Sequence, residues 1–167
     1  MSALSVNARV ALNLSASKIG YSFHRFPKSD DGVPLPENGI YWSIAHKTEM
    51  VAAVASPAPV GIDIEKMGPY NEKIEVKIAG PDEWNLGRGM NRRLLFYRFW
   101  TAKEAVLKAT GDGFKGISRC RIAGIVDDNR LNITYKEKLW PIVQFCHQDH
   151  IIAVTRGDER IIWTPVE

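Results

Sequence analysis

Cysteine is scarce in this chain: only Cys120 and Cys146 occur in 167 residues. The first residues carry neither a basic start nor an apolar run, so nothing there reads as a secretory leader, and both thiols are expected free in a cytoplasmic protein. Long hydrophobic runs are missing as well. The longest weakly polar stretch, Met50 to Ile64, is broken by Ser56, Pro57 and Pro59 and ends in charge, too short and too interrupted to span a bilayer. A strong charge of one sign is also lacking. Lys and Arg number 22 against 19 Asp and Glu, a net charge of +3, which is too small to argue for nucleic acid by itself. What is present is a 45% hydrophobic composition over a length that can bury one core but not two large ones. One domain spanning residues 1–167 is expected.

The charge is unevenly placed. Between residues 88 and 108 lie Arg88, Arg92, Arg93, Arg98, Lys103 and Lys108, with Glu104 as the sole acid. Such a segment reads either as a solvated helix face or as a local field that would draw a phosphate or an acidic partner protein. From Asn91 to Thr110 nothing interrupts a helix, and Gly111 stands where a left-handed capping residue is wanted. At about 100° per residue, Leu95, Phe99, Ala102, Val106 and Ala109 form one apolar stripe, which should face the core. Glu104 and Lys108 lie roughly opposite it, one turn apart.

Elsewhere, residues 7–19 suit a short helix stopped by Gly20, and the Asp-, Gly- and Pro-rich residues 30–39 form a loop before a strand at Ile40 to Ile44. Met50–Ala55 and Val60–Glu65, separated by Ser-Pro-Ala-Pro, read as a β-hairpin. Ile117–Val126, Leu131–Tyr135, Trp140–Phe145, Ile151–Thr155 and Ile161–Trp163 read as further strands. A His shortly before a small-apolar strand recurs at His46–Ala55 and His150–Thr155, a sign of two related halves. Cys146, His147 and His150 resemble a metal cluster only loosely, and surface or hydrogen-bonded residues explain them as well.

The informative strand is Val60-Gly-Ile-Asp-Ile-Glu65. Alternation turns Ile62 and Ile64 to one face and Asp63 and Glu65 to the other, roughly 6.5–7 Å apart. Magnesium takes oxygen ligands, a few of them carboxylates, and leaves the rest to water and substrate phosphates. Two acids on a strand and a third, Glu104, on a facing helix could supply such a set. A D-x-E pair is equally an exposed strand, with Glu104 pairing Lys108 along its own helix. Lys103, Lys108 and His46 tilt the balance, because cations beside a metal site suit a pyrophosphate.

The stretches Gly61-Ile-Asp-Ile-Glu65 and Phe99-Trp-Thr-Ala-Lys-Glu-Ala-Val-Leu-Lys-Ala-Thr-Gly111 resemble the two signature motifs of the 4′-phosphopantetheinyl transferases, in particular the type that activates nonribosomal peptide and polyketide synthases. Ser43-Ile-Ala-His46 resembles the family's Ser-His element, and Glu83 stands for an acid between the signatures. The resemblance implies an α+β fold of two pseudo-symmetric halves, with antiparallel strands packed on a long helix. The halves would be a short N-terminal one over residues 1–60 and a C-terminal one over 61–167, the ligand lying between them. It implies a monomer. It further implies that coenzyme A is cleaved at its pyrophosphate, that the phosphopantetheine arm passes to a serine of an apo acyl or peptidyl carrier protein, and that adenosine 3′,5′-bisphosphate leaves. By the same likeness Asp63, Glu65 and Glu104 hold Mg2+, and Glu104 takes the serine proton. Lys108 and His46 would hold phosphates, Lys103 would assist catalysis, and Trp100 would pack beside the site.

Two positions depart from the pattern. Gly32-Val-Pro34 replaces a common Gly-Lys-Pro, removing a lysine expected near the 3′-phosphate of coenzyme A, for which Arg25 and Lys28 could substitute. Ala45 stands where a serine commonly precedes the histidine. These departures and the short first half leave a second expectation open, a non-catalytic module that binds coenzyme A or a carrier protein. Nucleic-acid binding through residues 88–108 ranks last, since Glu104 would repel a phosphate backbone.

Overall fold

The structure, a computed structural model, describes residues 3–166. It opens with helix α1, Ala3–Ser17, which closes three residues ahead of Gly20. Strands β1, Tyr41–Lys47, and β2, Met50–Ser56, follow as an antiparallel hairpin turning at Thr48 and Glu49. Next come β3, Ile62–Lys66, and two short helices, α2, Glu75–Ile78, and α3, Pro81–Asn85. The long helix α4 runs from Arg92 to Thr110. Four strands complete the chain: β4, Arg121–Asp127; β5, Arg130–Tyr135; β6, Lys138–His147; and β7, His150–Thr155. β1 and β2 make a sheet of two strands, while the other five form an antiparallel sheet in the order β3-β7-β6-β5-β4. The architecture is α+β, with antiparallel strands on a long helix.

The expected hairpin between the strands around residues 50–55 and 60–65 does not form. β2 turns back on β1, and β3 pairs with β7 in the other sheet. Pro57 and Pro59 carry no amide hydrogen for a ladder, so the segment between them bridges sheets instead of closing a turn. On arrival Gly61 donates its N–H to Thr155 Oγ1 at 3.0 Å, and Ile62 donates to Ser43 Oγ of β1 at 3.1 Å, tying the sheets together. Two other strands differ from expectation. Residues 114–119 form a tight helical turn, in which Gly116 lies where a Cβ would overlap Leu107 Cδ2 and approach Tyr135 Oη to 2.8 Å, and the strand starts only at Arg121. Ile161 and Trp163 pair with no strand. They lie as an extended tail on an apolar cluster that includes Tyr41, Met50 and Val54, with Trp163 stacked on Phe145 at 5.2 Å.

Helix α4 is capped as its sequence demands. Asn91 accepts from the Leu94 N–H through its side chain, and Gly111 takes φ 73°, where a side chain is disfavoured. Leu95, Phe99, Ala102 and Val106 are buried against the five-stranded sheet and the small helices. Burial extends well beyond that stripe. Arg98 and Lys103, each 1% exposed, are internal, which corrects the reading of residues 88–108 as a solvated or ligand-facing basic surface. Arg98 donates from Nε to Gln144 Oε1 at 2.8 Å and from Nη2 to the Asp127 carbonyl at 2.7 Å. No described helix is long and apolar enough to cross a membrane.

Candidate active site

The two motifs meet at Gly61. A Cβ there would overlap the Ala105 carbonyl oxygen and lie 2.6 Å from the Ala109 amide nitrogen, so only hydrogen lets β3 rest on the α4 backbone. This contact brings the β3 acids to the α4 polar residues. Gly61→Ala should therefore cost about 1–3 kcal/mol or more, since the obstacle is backbone rather than a movable side chain. Urea unfolding checks it; an unchanged midpoint would show that the sheet is free to lift off the helix.

Alternation along β3 points Asp63 and Glu65 towards α4, as expected. Asp63 is 6% exposed, and its Oδ1 receives Lys108 Nζ at 2.7 Å. Lys108 is thus spent across the motifs, not on Glu104 one turn earlier. Glu65 is paired 2.5 Å from Lys47 Nζ. Glu104, half-buried, has no hydrogen-bond partner among the described residues. Burial pushes the Asp63 carboxyl up to about 6, and Glu65 adds to the rise while Lys108 restrains it. Burial pushes Glu104 up to about 7, helped by repulsion from Asp63 and Glu65 and opposed by Lys108. Three acids therefore sense one another, with two lysines partly neutralising them.

Among the described residues no three His, Cys, Asp or Glu are gathered closely enough to hold a metal as they stand. The three-carboxylate cage is thus not preformed; Lys47 and Lys108 sit on two of its members. The donor set nonetheless fits a hard divalent cation. Its ligands are all carboxylate oxygens, and Asp63 Oδ2 is buried with no hydrogen-bond partner, an acceptor left wanting a positive charge. If a divalent cation such as Mg2+ is held here, binding requires ionised carboxylates, and because two of these hold protons up to about 6 and about 7 the affinity should rise as pH climbs through that window and level off above it. Calorimetry in buffers of different ionisation enthalpy should register proton release at pH 6.5 and almost none at pH 8.5. Equal release at both would remove the assignment.

Lys103 is not brought to the acids. Its ammonium, from the core side of α4, donates to Glu83 Oε1 at 2.9 Å and to the Ile78 carbonyl. Glu83 also accepts from the Gly80 N–H at 2.8 Å and the Ile122 N–H at 2.7 Å. Burial works against the Glu83 carboxylate, but these donors outweigh it and hold its pKa below the usual range. Burial lowers the Lys103 pKa despite Glu83. The pair knits α3, α4 and β4 together, so Lys103 supports the fold and its hydrogen bonds go to Ile78 and Glu83, not to Asp63, Glu65 or Glu104.

His46 is exposed at the end of β1 and shares a strand face with Trp42 and Ile44, opposite Ser43 and Lys47. Lys28 approaches that face, with Nζ 6.0 Å from the Trp42 ring centre, and Arg25 is exposed, its N–H donating to Glu37 Oε1 at 3.0 Å. None of the three bonds to the carboxylates. Val33 packs on Gly111, 3.0 Å from where a Cβ would stand, so the loop lacking the lysine touches the end of α4. Trp100 packs between Phe96 and Phe114, at 5.6 and 6.1 Å. Lys47 was missed from the sequence, although strand alternation sets it on one face with Ser43, which bonds β3.

The model of one protein family, the 4′-phosphopantetheinyl transferase superfamily, matches residues 59–155, a span holding Gly61, Asp63, Glu65, Glu104 and Lys108. The chain belongs to that superfamily. As a member of it, the chain is similar to 4′-phosphopantetheinyl transferase HetI of a Nostoc species, with 27% identity over 85% of this chain and 62% of the relative. It is also similar to 4′-phosphopantetheinyl transferase gsp of Aneurinibacillus migulanus, with 34% identity over 53% of this chain and 38% of the relative. The chain thus spans less than two thirds of the length of either. A looser likeness is to a crystal structure of Thermotoga maritima holo-[acyl-carrier-protein] synthase, at TM-score 0.48 and 21% identity, covering 59% of this chain and 61% of that one.

Proposed function

We propose that this superfamily member transfers the 4′-phosphopantetheine group of coenzyme A to a serine of an apo acyl or peptidyl carrier protein, releasing adenosine 3′,5′-bisphosphate. The observation that carries the reading is the meeting of Asp63, Glu65 and Glu104 with Lys108 where Gly61 seats β3 on α4. Mg2+, held by the three carboxylates, would supply positive charge to the pyrophosphate oxygens. The serine oxygen forms a bond to the phosphorus bearing the pantetheine arm, the bond to the bridging pyrophosphate oxygen breaks, and the nucleotide leaves with that electron pair. Glu104, the acid of the set on α4, accepts the serine proton directly or through water. Lys108, freed from Asp63 as charge redistributes, counters the growing charge on the leaving phosphate.

By the family resemblance, Arg25, Lys28 and His46 are assigned to the nucleotide phosphates. Residues 1–60 and 61–167 would act as the two walls of the cleft. Incubation with coenzyme A, magnesium and apo carrier proteins should add one phosphopantetheine mass to a carrier, read by intact-protein mass spectrometry. Failure across acyl and peptidyl carriers counts against transfer. Val33 in place of lysine motivates a second reading, a binding module without chemistry. That reading is selected if coenzyme A binds measurably and no carrier is modified.

A further inference from the structure

Asp63 and Glu65 share a face of β3, yet each is paired from a different direction. Lys108 of α4 reaches Asp63 at 2.7 Å, and Lys47, the last residue of β1, stands 2.5 Å from Glu65 Oε2. Among the described residues Lys47 is the one side chain preceding β3 that pairs with any of the three site carboxylates.

Its position is held on both sides along the chain. Ser43, Ala45 and Lys47 alternate onto one face of β1. Ser43 Oγ accepts the Ile62 N–H at 3.1 Å, which seats that face on the outer edge of β3, an edge strand of its sheet. Two residues beyond Lys47, Glu49 in the β1–β2 turn receives Lys66 Nζ at 3.0 Å, and Lys66 also lies 3.4 Å from Asp149 in the β6–β7 turn. The turn after Lys47 is thus tied to the end of β3. The head group is not confined in the same way, since the Lys47 side chain is 43% exposed while that of Glu65 is 17% exposed. A fixed backbone carries a mobile charge beside a largely buried carboxylate.

We propose that Lys47 is a tethered counter-ion with two successive partners, Glu65 and then an oxygen of the diphosphate, so that a divalent cation and the diphosphate bind this site cooperatively. The inference rests on the transferase reading. A cation that takes Glu65 must displace the ammonium or share the carboxylate with it, and the two positive charges then repel each other. A diphosphate relieves that repulsion. Ligands of one octahedral cation, with bonds of about 2.1 Å, lie about 3 Å apart. A phosphate oxygen on a cation held by Glu65 therefore comes within a short swing of Lys47 Nζ. By linkage the effect is reciprocal, each ligand tightening the other by the same factor. Lys47 carries charge in this role and moves no proton.

Mn2+ binding followed by electron paramagnetic resonance reads the cation site without turnover, and at pH 8 the acids raised to about 6 and about 7 are ionised. Lys47→Met removes the charge and keeps an unbranched side chain. It should bind Mn2+ alone about fivefold more tightly than the parent; with saturating coenzyme A the parent should gain about tenfold in Mn2+ affinity and the variant no more than about threefold, after subtracting Mn2+ held by coenzyme A in solution. Lys47→Arg should retain the parent's gain, as should Glu49→Gln, which breaks only the neighbouring exposed pair with Lys66. Equal Mn2+ affinity in parent and Lys47→Met, or the same gain on coenzyme A in both, overturns the role of Lys47 and leaves the transferase reading standing. Absence of Mn2+ binding by either chain, with or without coenzyme A, removes the cation site on which both rest.

Discussion

Replacing Glu104 with glutamine should slow phosphopantetheine transfer by about 10²–10⁴-fold without lowering the melting temperature at pH 8. The loss follows from removing both a proton acceptor and a carboxylate ligand while keeping the side-chain volume. The stability follows from the sign of the shift. Burial and the neighbouring acids raise Glu104 to about 7 in the folded chain, above its unfolded value, so the folded state holds a proton more tightly. Stability linked to this group is present below the unfolded pKa and declines as pH rises from there to about 7. At pH 8 the parent carries a half-buried charge beside Asp63 and Glu65, and glutamine carries none. Glu104→Gln should therefore melt at the same or a higher temperature at pH 8, and the difference should shrink at pH 5, where Glu104 is protonated. Melting curves at both pH values, beside mass-spectrometric transfer rates, separate the roles. A variant several degrees less stable at pH 8 would show that Glu104 is a structural partner, and an unaffected rate would take the base away from it.

Removing Glu83 should damage the fold more than any exposed substitution. Glu83→Ala leaves the Lys103 ammonium at 1% exposure without its carboxylate, and deprives Gly80 and Ile122 of their acceptor. Breaking one side of a buried ion pair costs about 3–5 kcal/mol. Lys103→Met in the Glu83→Gln background should recover part of that, because the uncompensated charge goes with it. The pair also predicts an acid limit. The folded Glu83 pKa is depressed, so its contribution is present above the unfolded carboxylate pKa and lost as pH falls through the folded value. Urea midpoints of the three variants test the coupling. If the double substitution is no better than Glu83→Ala, the cost lies in the backbone bonds to Gly80 and Ile122 and not in the buried charge.

The same pair shows where sequence reasoning about the site failed. Lys103 adjoins Glu104 in the chain, and adjacency suggested a shared role. Successive helical residues are turned by about 100°, and here that turn takes Lys103 into the core, towards Ile78 and Glu83, while Glu104 stays with β3. Lys108, a full turn after Glu104, does not pair along its own helix. Its span reaches Asp63 on the facing strand, which a helix considered alone does not contain.

What the sequence by itself determined is local and periodic. The limits of α4 follow from the Asn91 and Gly111 caps, because a helix end must satisfy its own orphan amides and carbonyls. The common face of Asp63 and Glu65 follows from the two-residue repeat of a strand, and two motifs apart in the chain pointed to the family. Tertiary structure decided which strand lies beside β3, which basic residues of α4 are buried, and which lysines meet the carboxylates. Those outcomes depend on contacts between residues distant in the chain, such as Gly61 with Ala105 and Asp63 with Ala153 across the β3–β7 ladder. Local periodicity states which face of an element is apolar or charged, but not which other element will cover it.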